Sequence, residues 1–479
     1  MSFNVALPVD MSYPVISTLS DDARAYALSV QPNGITQVST GTLSSFLVAN
    51  SGAASLPFNS SLLAFDIPSG AGNTFLDVDS TTLSFRLGVT VTVAASATSL
   101  ACNLISTAAS FFDQLSVYSN GTPLEQISGY GLLHSMYVNS TVGFSEKYGG
   151  LSIGMGSDVN TANGHDIALT ATGTVYYSYS IPLISIIGLS THKYLPIGMI
   201  QNLQLQLNTA AILPFAATCT AVTTQPQFSC VLDTFNLNMR YVDIGAVAMN
   251  LWRATLPNGM AMINSNTYIN SNVTLPSGSS ARQTLLFQIR QQYLRSLFVT
   301  FSTSANSAQV VNQQFDCINP NMNSLQLKLG GFSTPQRQLN PLQEPGQCFW
   351  TFISAIAGAQ SLKGYGGVIS RQTYNNLLVA APAGSDQSAV LLAALARPAL
   401  GDANTATSIL GFPSSAYYGF NTDRCSSNVL SGVSTRASPP YVELNIATAT
   451  DRTLTANAWG LISTILVIDT ATKSITVVN

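Results

Sequence analysis

The stretch Leu83-Ser84-Phe85-Arg86-Leu87-Gly88-Val89-Thr90-Val91-Thr92-Val93 alternates between two kinds of side chain. Its odd positions are all apolar, and its even positions are polar or glycine. Successive side chains of a β-strand point to opposite faces of a sheet, so this pattern predicts a strand with one buried face and one wet face.

The same alternation recurs along the chain. It returns at residues 203–208, 235–241, 325–329 and 442–446, each with apolar side chains at every second position. Because such strands occur in both halves, the pattern predicts an all-β protein. Strands are predicted at 60–67, 74–93, 111–119, 174–182, 194–208, 229–242, 267–275, 283–290, 294–304, 324–331, 440–447, 461–469 and 474–478.

Short helices and long loops are predicted between the strands. Apolar residues at helical spacing predict a helix over 124–137, and residues 243–255 predict a second one. Residues 348–356 fit either a strand or a helix. The Asn120-Gly121 pair predicts a tight turn between two strands. Long loops rich in small and polar residues are predicted at 146–173, 333–347 and 376–438.

The chain carries unusually little charge. Charged residues make up 8% of its 479 residues, against about 25% in an average soluble domain. The net charge is -3, without a run of like charges, which argues against a nucleic-acid-binding stripe or a polybasic membrane patch. Interface cores are depleted in charge, so this composition favours burial against other copies of the chain. A β-rich secreted protein with polar, uncharged surfaces is the alternative interpretation.

Two features bear on the compartment in which the chain folds. Residues 1–20 contain Asp10 and lack a basic or strongly apolar segment, so no signal peptide is predicted. No stretch of the sequence reaches about 18 consecutive apolar residues, so no transmembrane helix is predicted. Irregular cysteine spacing predicts free, mostly buried thiols in a reducing compartment. The alternative is a Cys219–Cys230 disulfide that closes a hairpin. The six cysteines lie at positions 102, 219, 230, 317, 348 and 425.

The length suits two or three domains. Strand spacing is uneven and shows no blade-like period of about 40–50 residues, which disfavours a propeller. Two consecutive eight-stranded jelly-roll barrels, with short helices and long loops, fit the pattern best. The predicted division is an N-terminal arm or early strand at 1–50, a first jelly roll at 51–245 and a second at 246–479.

Several segments, in this order, resemble the double jelly-roll major capsid proteins of double-stranded DNA viruses. Residues 111–133 resemble a strand–turn–helix segment of that family. Residues 179–188 and 194–207 resemble the end of its first barrel, and residues 466–475 resemble its closing strand pair. The family belongs to the adenovirus and tectivirus lineage, and the closest resemblance is to polinton-like viruses and virophages.

The resemblance implies a structural protein of the virion. In that family three subunits with two barrels each form a pseudo-hexagonal capsomer, which tiles an icosahedral shell around double-stranded DNA. The implied partners are two further copies of the chain, neighbouring capsomers, and penton and minor capsid proteins. The resemblance implies no sequence-specific binding of nucleic acid, and it implies assembly inside the host cell. Whether an internal membrane lies beneath the shell stays open.

The sequence lacks the usual signatures of catalysis. It contains no phosphate loop, no nucleophile elbow and no H-E-x-x-H motif. His134 is predicted to be a hydrogen-bonded structural residue, and His165-Asp166 a surface dipeptide rather than a metal or general-base pair. Asp77 and Asp79 could hold calcium or form a glycosidase acid/base pair, but a turn at the start of a strand is favoured. No enzymatic activity, catalytic residue, cofactor or metal is therefore predicted.

An aromatic cluster supports a second hypothesis. Phe349, Trp350 and Phe352 could form a platform on which a sugar stacks, as in a β-sandwich adhesin or glycan-binding protein. Packing in a core or an interface is the more common role of such a cluster. An export signal or a cleft of carboxylates would favour the adhesin, and the sequence shows neither.

Overall fold

A computed structural model gives the fold of the chain. The residues that it describes form five antiparallel sheets with a few short helices. The residues that the structure describes are 24–39, 61–92, 99–104, 107–141, 166–169, 173–190, 192–211, 215–220, 227–303, 317–359, 416–423, 431–450 and 453–478.

Two facing sheets form a first barrel. The strands of this half are β1 (Arg24–Val30), β2 (Gln37–Ser39), β3 (Leu62–Ile67), β4 (Thr74–Thr92), β5 (Ser99–Leu104), β6 (Phe112–Ser119), β7 (Thr122–Ser128), β8 (Asp166–Leu169), β9 (Gly173–Pro182), β10 (Tyr194–Leu195), β11 (Leu203–Thr209), β12 (Phe215–Thr220) and β13 (Gln227–Asp243). One sheet has the order β1-β13-β4-β9, with β2 and β10 added to it, and the other has the order β3-β11-β6-β7. A small third sheet, β12-β5-β8, lies outside this pair.

The second half repeats the arrangement. Its strands are β14 (Met260–Leu275), β15 (Ala281–Leu286), β16 (Leu294–Thr303), β17 (Met322–Leu329), β18 (Phe332–Leu339), β19 (Tyr417–Asn421), β20 (Tyr441–Ile446), β21 (Leu454–Asp469) and β22 (Ser474–Val478). The sheets have the orders β14-β21-β16-β19 and β15-β20-β17-β18, with β22 added beside β21. Each of the eight strands in these two orders has a counterpart in the first barrel, so the predicted pair of eight-stranded jelly rolls is confirmed.

Strand β4 buries the face that its alternation predicts. Its odd side chains from position 83 to 89 are buried, whereas Ser84, Arg86 and Thr90 are partly exposed. The ring of Phe85 meets that of Phe112 on the opposite sheet edge-on, with centroids 5.4 Å apart. The side chains of Val91 and Val93 lie outside the described residues. The alternation at 203–208 and 442–446 is confirmed in β11 and β20.

Three α-helices accompany the described strands: α1 (Tyr130–Thr141), α2 (Ala246–Thr255) and α3 (Pro345–Ala359). The prediction at 243–255 is confirmed by α2, and residues 348–356 are helical. The prediction at 124–137 is wrong in its first part, because Leu124 and Ile127 lie on β7. A register shift opposite Val117 and Tyr118 breaks the period of two, which gives these residues their helical spacing. Gly129, with a φ of 63°, separates β7 from α1.

Other boundaries also differ from the predictions. The strand predicted at 194–208 is two strands, β10 and β11, separated by a short 3-10 helix at Ile197–Met199. Strand β18 occupies the first part of the loop predicted at 333–347, and α3 begins within its last part. Within the other predicted loops, Asp166–Leu169 forms β8 and Tyr417–Asn421 forms β19, whereas 146–165 and 376–415 lie outside the described residues.

The two halves meet between β13 and β14. Strand β13 ends at Asp243, α2 follows, and no sheet of the described residues combines strands from both sides. The sequence predicts either an arm or an early strand at residues 1–50. Within this segment, Arg24–Val30 forms an early strand, β1, which pairs with β13. The boundary predicted at 245/246 remains a prediction, as does the start of the first unit at residue 51.

The cysteine side chains that the structure describes are buried. Cys230, Cys317 and Cys348 form no disulfide, and burial raises the pKa of Cys348 to about 12. The alternative of a Cys219–Cys230 hairpin disulfide is wrong. Cys219 lies on β12, which pairs with β5, whereas Cys230 lies on β13 in another sheet. Cys425 and the side chain of Cys102 lie outside the described residues.

Candidate functional site: the joint between the barrels

A buried carboxylate connects the two barrels. Glu125 on β7 is 4% exposed. Its Oε2 accepts hydrogen bonds from the hydroxyl of Ser185 at 2.5 Å and the backbone N–H of Ile186 at 3.0 Å. Its Oε1 accepts one at 2.6 Å from Thr267, which lies on β14 of the second barrel. Burial raises the pKa of Glu125, and these three donors oppose the rise.

The segment 183–190, which follows β9, is held between the barrels. The backbone N–H of Ile184 donates to the hydroxyl of Tyr130 at 3.0 Å. The hydroxyls of Ser190 and Ser265 lie 3.1 Å apart, so this segment also bonds to the second barrel. A Cβ at Gly188 would lie 2.2 Å from a backbone carbonyl oxygen of the same segment, so only glycine fits there. The segment therefore presents its donors in one fixed geometry.

An indole forms a further polar contact between the barrels. Trp459 on β21 is completely buried, and its Nε1 donates to the carbonyl oxygen of Ser128 at 3.2 Å. The backbone of Gly129 passes under the same ring, where a Cβ would lie 3.3 Å from it. Strand β7 thus ends against the second barrel with both its carboxylate and its last carbonyl oxygen hydrogen-bonded.

Apolar packing is continuous across this joint. Tyr268, Phe298 and Trp459 of the second barrel belong to the same buried cluster as the core of the first barrel. Loss of these donors would strongly destabilise the folded chain, because the buried carboxylate would be left without hydrogen-bond partners. Because the donors come from both barrels, the arrangement fixes the angle between them. Chemically, the joint is suited to holding a shape rather than to acting on a substrate.

Two histidines are buried near the joint. The Nε2 of His134 lies 3.1 Å from the carbonyl oxygen of Pro182, and its Nδ1 lies 3.1 Å from the hydroxyl of Thr107. Donation from Nε2 to the carbonyl and from Thr107 to Nδ1 satisfies a neutral ring. Burial lowers the pKa of His134, and that of His192, to about 4. The structural role predicted for His134 agrees with this geometry. His165 lies outside the described residues.

The acidic pair lies within a strand. Asp77 and Asp79 are part of β4, at a bulge where the pairing with β13 shifts, rather than in a turn before the strand. The hydroxyl of Ser80 stabilises the bulge by donating to the carbonyl oxygen of Asp77 at 2.6 Å. Burial and the neighbouring Asp77 raise the pKa of Asp79. Among the described residues, no group of three or more His, Cys, Asp or Glu side chains could hold a metal ion.

The aromatic cluster does not form a platform. Phe352 is buried on the inner side of α3, where it packs against Phe298 and Tyr417 with ring centroids 6.3 and 5.5 Å away. Trp350 lies on the same helix but is 55% exposed. The side chains therefore point to different environments, which favours the packing role over sugar stacking.

Sequence reasoning missed the residues of the joint. The sequence predicts a helix at Glu125, which lies on β7, and it predicts a strand that begins only after Trp459, which lies on β21. One signal could have drawn attention to Glu125: it is a carboxylate among apolar residues in a chain with few charges. Nothing in the sequence pairs it with Thr267. No helix of the described residues is long and apolar enough to span a membrane.

The chain is similar to known proteins in fold alone. No protein-family model matches it, and no curated protein matches it in sequence. The 3.5 Å cryo-electron-microscopy structure of the Sputnik virophage matches with a TM-score of 0.52 and 11% identity, covering 96% of this chain and 89% of that one. The crystal structure of VP54 from PBCV-1, fitted into a reconstruction of Sputnik, matches with a TM-score of 0.51 and 10% identity, covering 95% and 97%. The quasi-atomic PBCV-1 capsid matches with a TM-score of 0.50 and 10% identity, again covering 95% and 97%. The similarity in fold thus extends over nearly the full length of this chain and of each matched chain.

Proposed function

We propose that this chain is the major capsid protein of an icosahedral double-stranded DNA virus. The observation that carries the proposal is the pair of eight-stranded barrels locked by a buried joint. A fold of this kind extends over nearly the whole PBCV-1 capsid chain. A rigid two-barrel block with little charge is suited to repeated packing in a shell.

The proposed assembly unit is a homotrimer. Three copies with two barrels each give six similar barrels, which form a ring with a pseudo-hexagonal outline. Such capsomers tile a shell beside neighbouring capsomers and beside penton and minor capsid proteins, so the proposed location is the virion. The proposal includes no sequence-specific binding of nucleic acid and no enzymatic activity. It also divides the chain into two structural units at 245/246, with β1 belonging to the first unit.

Imaging and mass measurement test this function together. Purified protein at micromolar concentration should scatter light as a particle of about three times the 50.5 kDa chain mass. Negative-stain images should show hexagonal outlines or closed shells. A monodisperse monomer without such outlines would contradict the proposal.

An activity screen tests the structural role separately. A broad glycosidase and esterase screen of the purified trimer should detect no turnover. Activity that disappears in both Asp77→Asn and Asp79→Asn would instead identify an enzyme, because those carboxylates are the candidate acid/base pair.

A further inference from the structure

The peptide of Ile186 lies between two buried titratable side chains. Its N–H donates to Oε2 of Glu125 at 3.0 Å, and its backbone also lies beside the ring of His192. Glu125 is 4% exposed and His192 is 7% exposed. Because segment 183–190 contributes to the burial of both side chains, its release from the joint would bring both into contact with water.

The geometry suits a neutral ring at His192. Both ring nitrogens are buried, and neither has a hydrogen-bond partner in the part of the chain that the structure describes. A protonated ring carries two N–H donors, so protonation would bury a positive charge together with unsatisfied donors. Burial accordingly lowers the pKa of His192 to about 4. The backbone of Ile186 favours the protonated ring, but its effect on the pKa is smaller than that of burial.

The geometry also accommodates a neutral acid at Glu125. Its Oε2 accepts hydrogen bonds from Ser185 and Ile186, whereas its Oε1 lies 2.6 Å from the hydroxyl of Thr267. A hydroxyl both donates and accepts, so a protonated Oε1 can donate to Thr267 and every contact is kept. Burial raises the pKa of Glu125 in spite of these three partners.

The charged side chains near the segment are occupied with one another. Arg295 on β16 forms an ion pair of 2.7 Å with Asp423. The charge of Lys193, which follows the buried imidazole in sequence, interacts with that of Asp79 on β4. Charged groups are not among the causes of the pKa shifts of the buried acid and the buried imidazole. Burial therefore governs both shifts.

The remaining titratable groups around the segment do not change charge together with it. Tyr130 on α1 and Tyr268 on β14 are phenols, and burial raises the pKa of both, so they stay neutral at acidic pH. His134 is held by α1, and its two ring nitrogens each lie 3.1 Å from a hydrogen-bond partner outside the segment. Its environment therefore does not depend on the attachment of residues 183–190.

We propose that release of segment 183–190 transfers one proton from Glu125 to His192 through water, so that the strength of its attachment does not depend on pH in the mildly acidic range. The O–H bond of the acid breaks and an N–H bond forms on the imidazole. A neutral pair thus becomes a carboxylate and an imidazolium, without net uptake of protons. This inference does not depend on the proposed function, because it concerns contacts within one chain.

Each group alone would make the attachment depend on pH. In water the imidazole titrates near pH 6.5, so release through His192 becomes easier as pH falls from 6.5 toward 4. The carboxyl titrates near pH 4.5 in water, so release through Glu125 becomes easier as pH rises from 4.5 through the raised pKa. Each effect reaches at most about 10-fold per pH unit, and the two have opposite signs.

Hydrogen–deuterium exchange of the segment's amides tests the compensation in the full-length protein. Exchange rates corrected for the intrinsic rate at each pH give the equilibrium constant of release. In the wild type this constant should be the same at pH 5 and pH 6 to within about twofold. In Glu125→Gln it should increase by up to about 10-fold as pH falls, and in His192→Phe it should increase by up to about 10-fold as pH rises. The double variant should again be independent of pH.

Two further variants complete the experiment. His192→Gln cannot take up a proton either and should reproduce the slope of His192→Phe, which separates the loss of titration from any effect of the larger ring. His134→Gln is the matched control, because it removes a buried imidazole that lies outside the segment, and it should retain the wild-type behaviour. The proposal would be overturned by slopes of the same sign in the variants at Glu125 and His192, by a wild-type constant that changes about 10-fold between the two pH values, or by a control that becomes dependent on pH.

Discussion

The indole Nε1 of Trp459 donates a 3.2 Å hydrogen bond to the carbonyl oxygen of Ser128, which lies 331 positions earlier in the chain. The acceptor is a backbone group, so only a substitution of the indole can remove the bond. The ring is completely buried and also packs over Gly129. Two substitutions of Trp459 can therefore separate the stability contributed by the hydrogen bond from that contributed by the packing.

Trp459→Phe should lower the free energy of unfolding by about 1–3 kcal/mol, because a buried acceptor loses its donor while most of the packing remains. Trp459→Ala should cost about 3–5 kcal/mol, because it also leaves a cavity. Urea unfolding at constant protein concentration measures both. Leu251→Ala on exposed α2 is the control and should cost roughly 0.5 kcal/mol or less. An equal cost for the control and Trp459→Ala would show that the indole does not hold the joint.

Glu125→Gln tests the buried carboxylate through pH. The pKa of Glu125 is raised by burial above the ordinary value of 4.5. Above pH 4.5, and up to the raised pKa, the folded chain keeps a proton that the unfolded chain has released. Its contribution to stability is therefore complete below pH 4.5 and is lost as pH rises through that window. The stability difference, wild type minus Glu125→Gln, should decrease with rising pH. A difference that increases would mean that the joint stabilises the ionised form.

His134 should produce the opposite pH dependence. Burial lowers its pKa from 6.5 to about 4. Between these values the unfolded chain binds a proton that the folded chain excludes, so stability present above pH 6.5 is lost as pH falls toward 4. His134→Gln should reduce this slope by up to about 1.4 kcal/mol per pH unit. Unfolding by urea at several pH values measures it. Identical slopes for the variant and the wild type would exclude His134 as the group responsible.

The two faces of β4 should respond differently to truncation. Leu87 is completely buried, so Leu87→Ala should cost about 2–5 kcal/mol. Thr90 lies on the outer face, where its hydroxyl is 2.8 Å from that of Thr174. Thr90→Ala should cost roughly 0.5 kcal/mol in the isolated subunit. A larger cost for Thr90→Ala than for Leu87→Ala would contradict the register of this strand.

The sequence predicts the structural features that depend on residues close to one another along the chain. Alternation over β4, β11 and β20 follows from the geometry of a single strand, so it shows which face is buried before any partner is known. Asn120 and Gly121, with φ of 49° and 77°, likewise adopt the left-handed conformations that the pair predicts for a tight turn. Helix α2 is also recognised from its own residues.

Features that depend on distant partners were missed. The bulge in β7 moves Glu125 to the joint, and a bulge produces a spacing that looks helical. The hydrogen bonds that Glu125 accepts come from Thr267 and from segment 183–190, which come together only when both barrels are formed. The sequence predicts a loop where β18 lies, because the residues of this strand are mostly exposed or partly exposed and show no alternation that would reveal a buried face.

The pairing of the outer strands sets an order of events during synthesis. Arg24 at the start of β1 pairs with Asp243 at the end of β13, and Met260 at the start of β14 pairs with Asp469 at the end of β21. Neither barrel can close until its last long strand has left the ribosome, and such distant pairings make folding slow. The first barrel can close while the second is still being translated. In a first barrel that has closed alone, Ser185 and Ile186 already donate to Glu125, and the third donor, Thr267, arrives only when the second barrel forms.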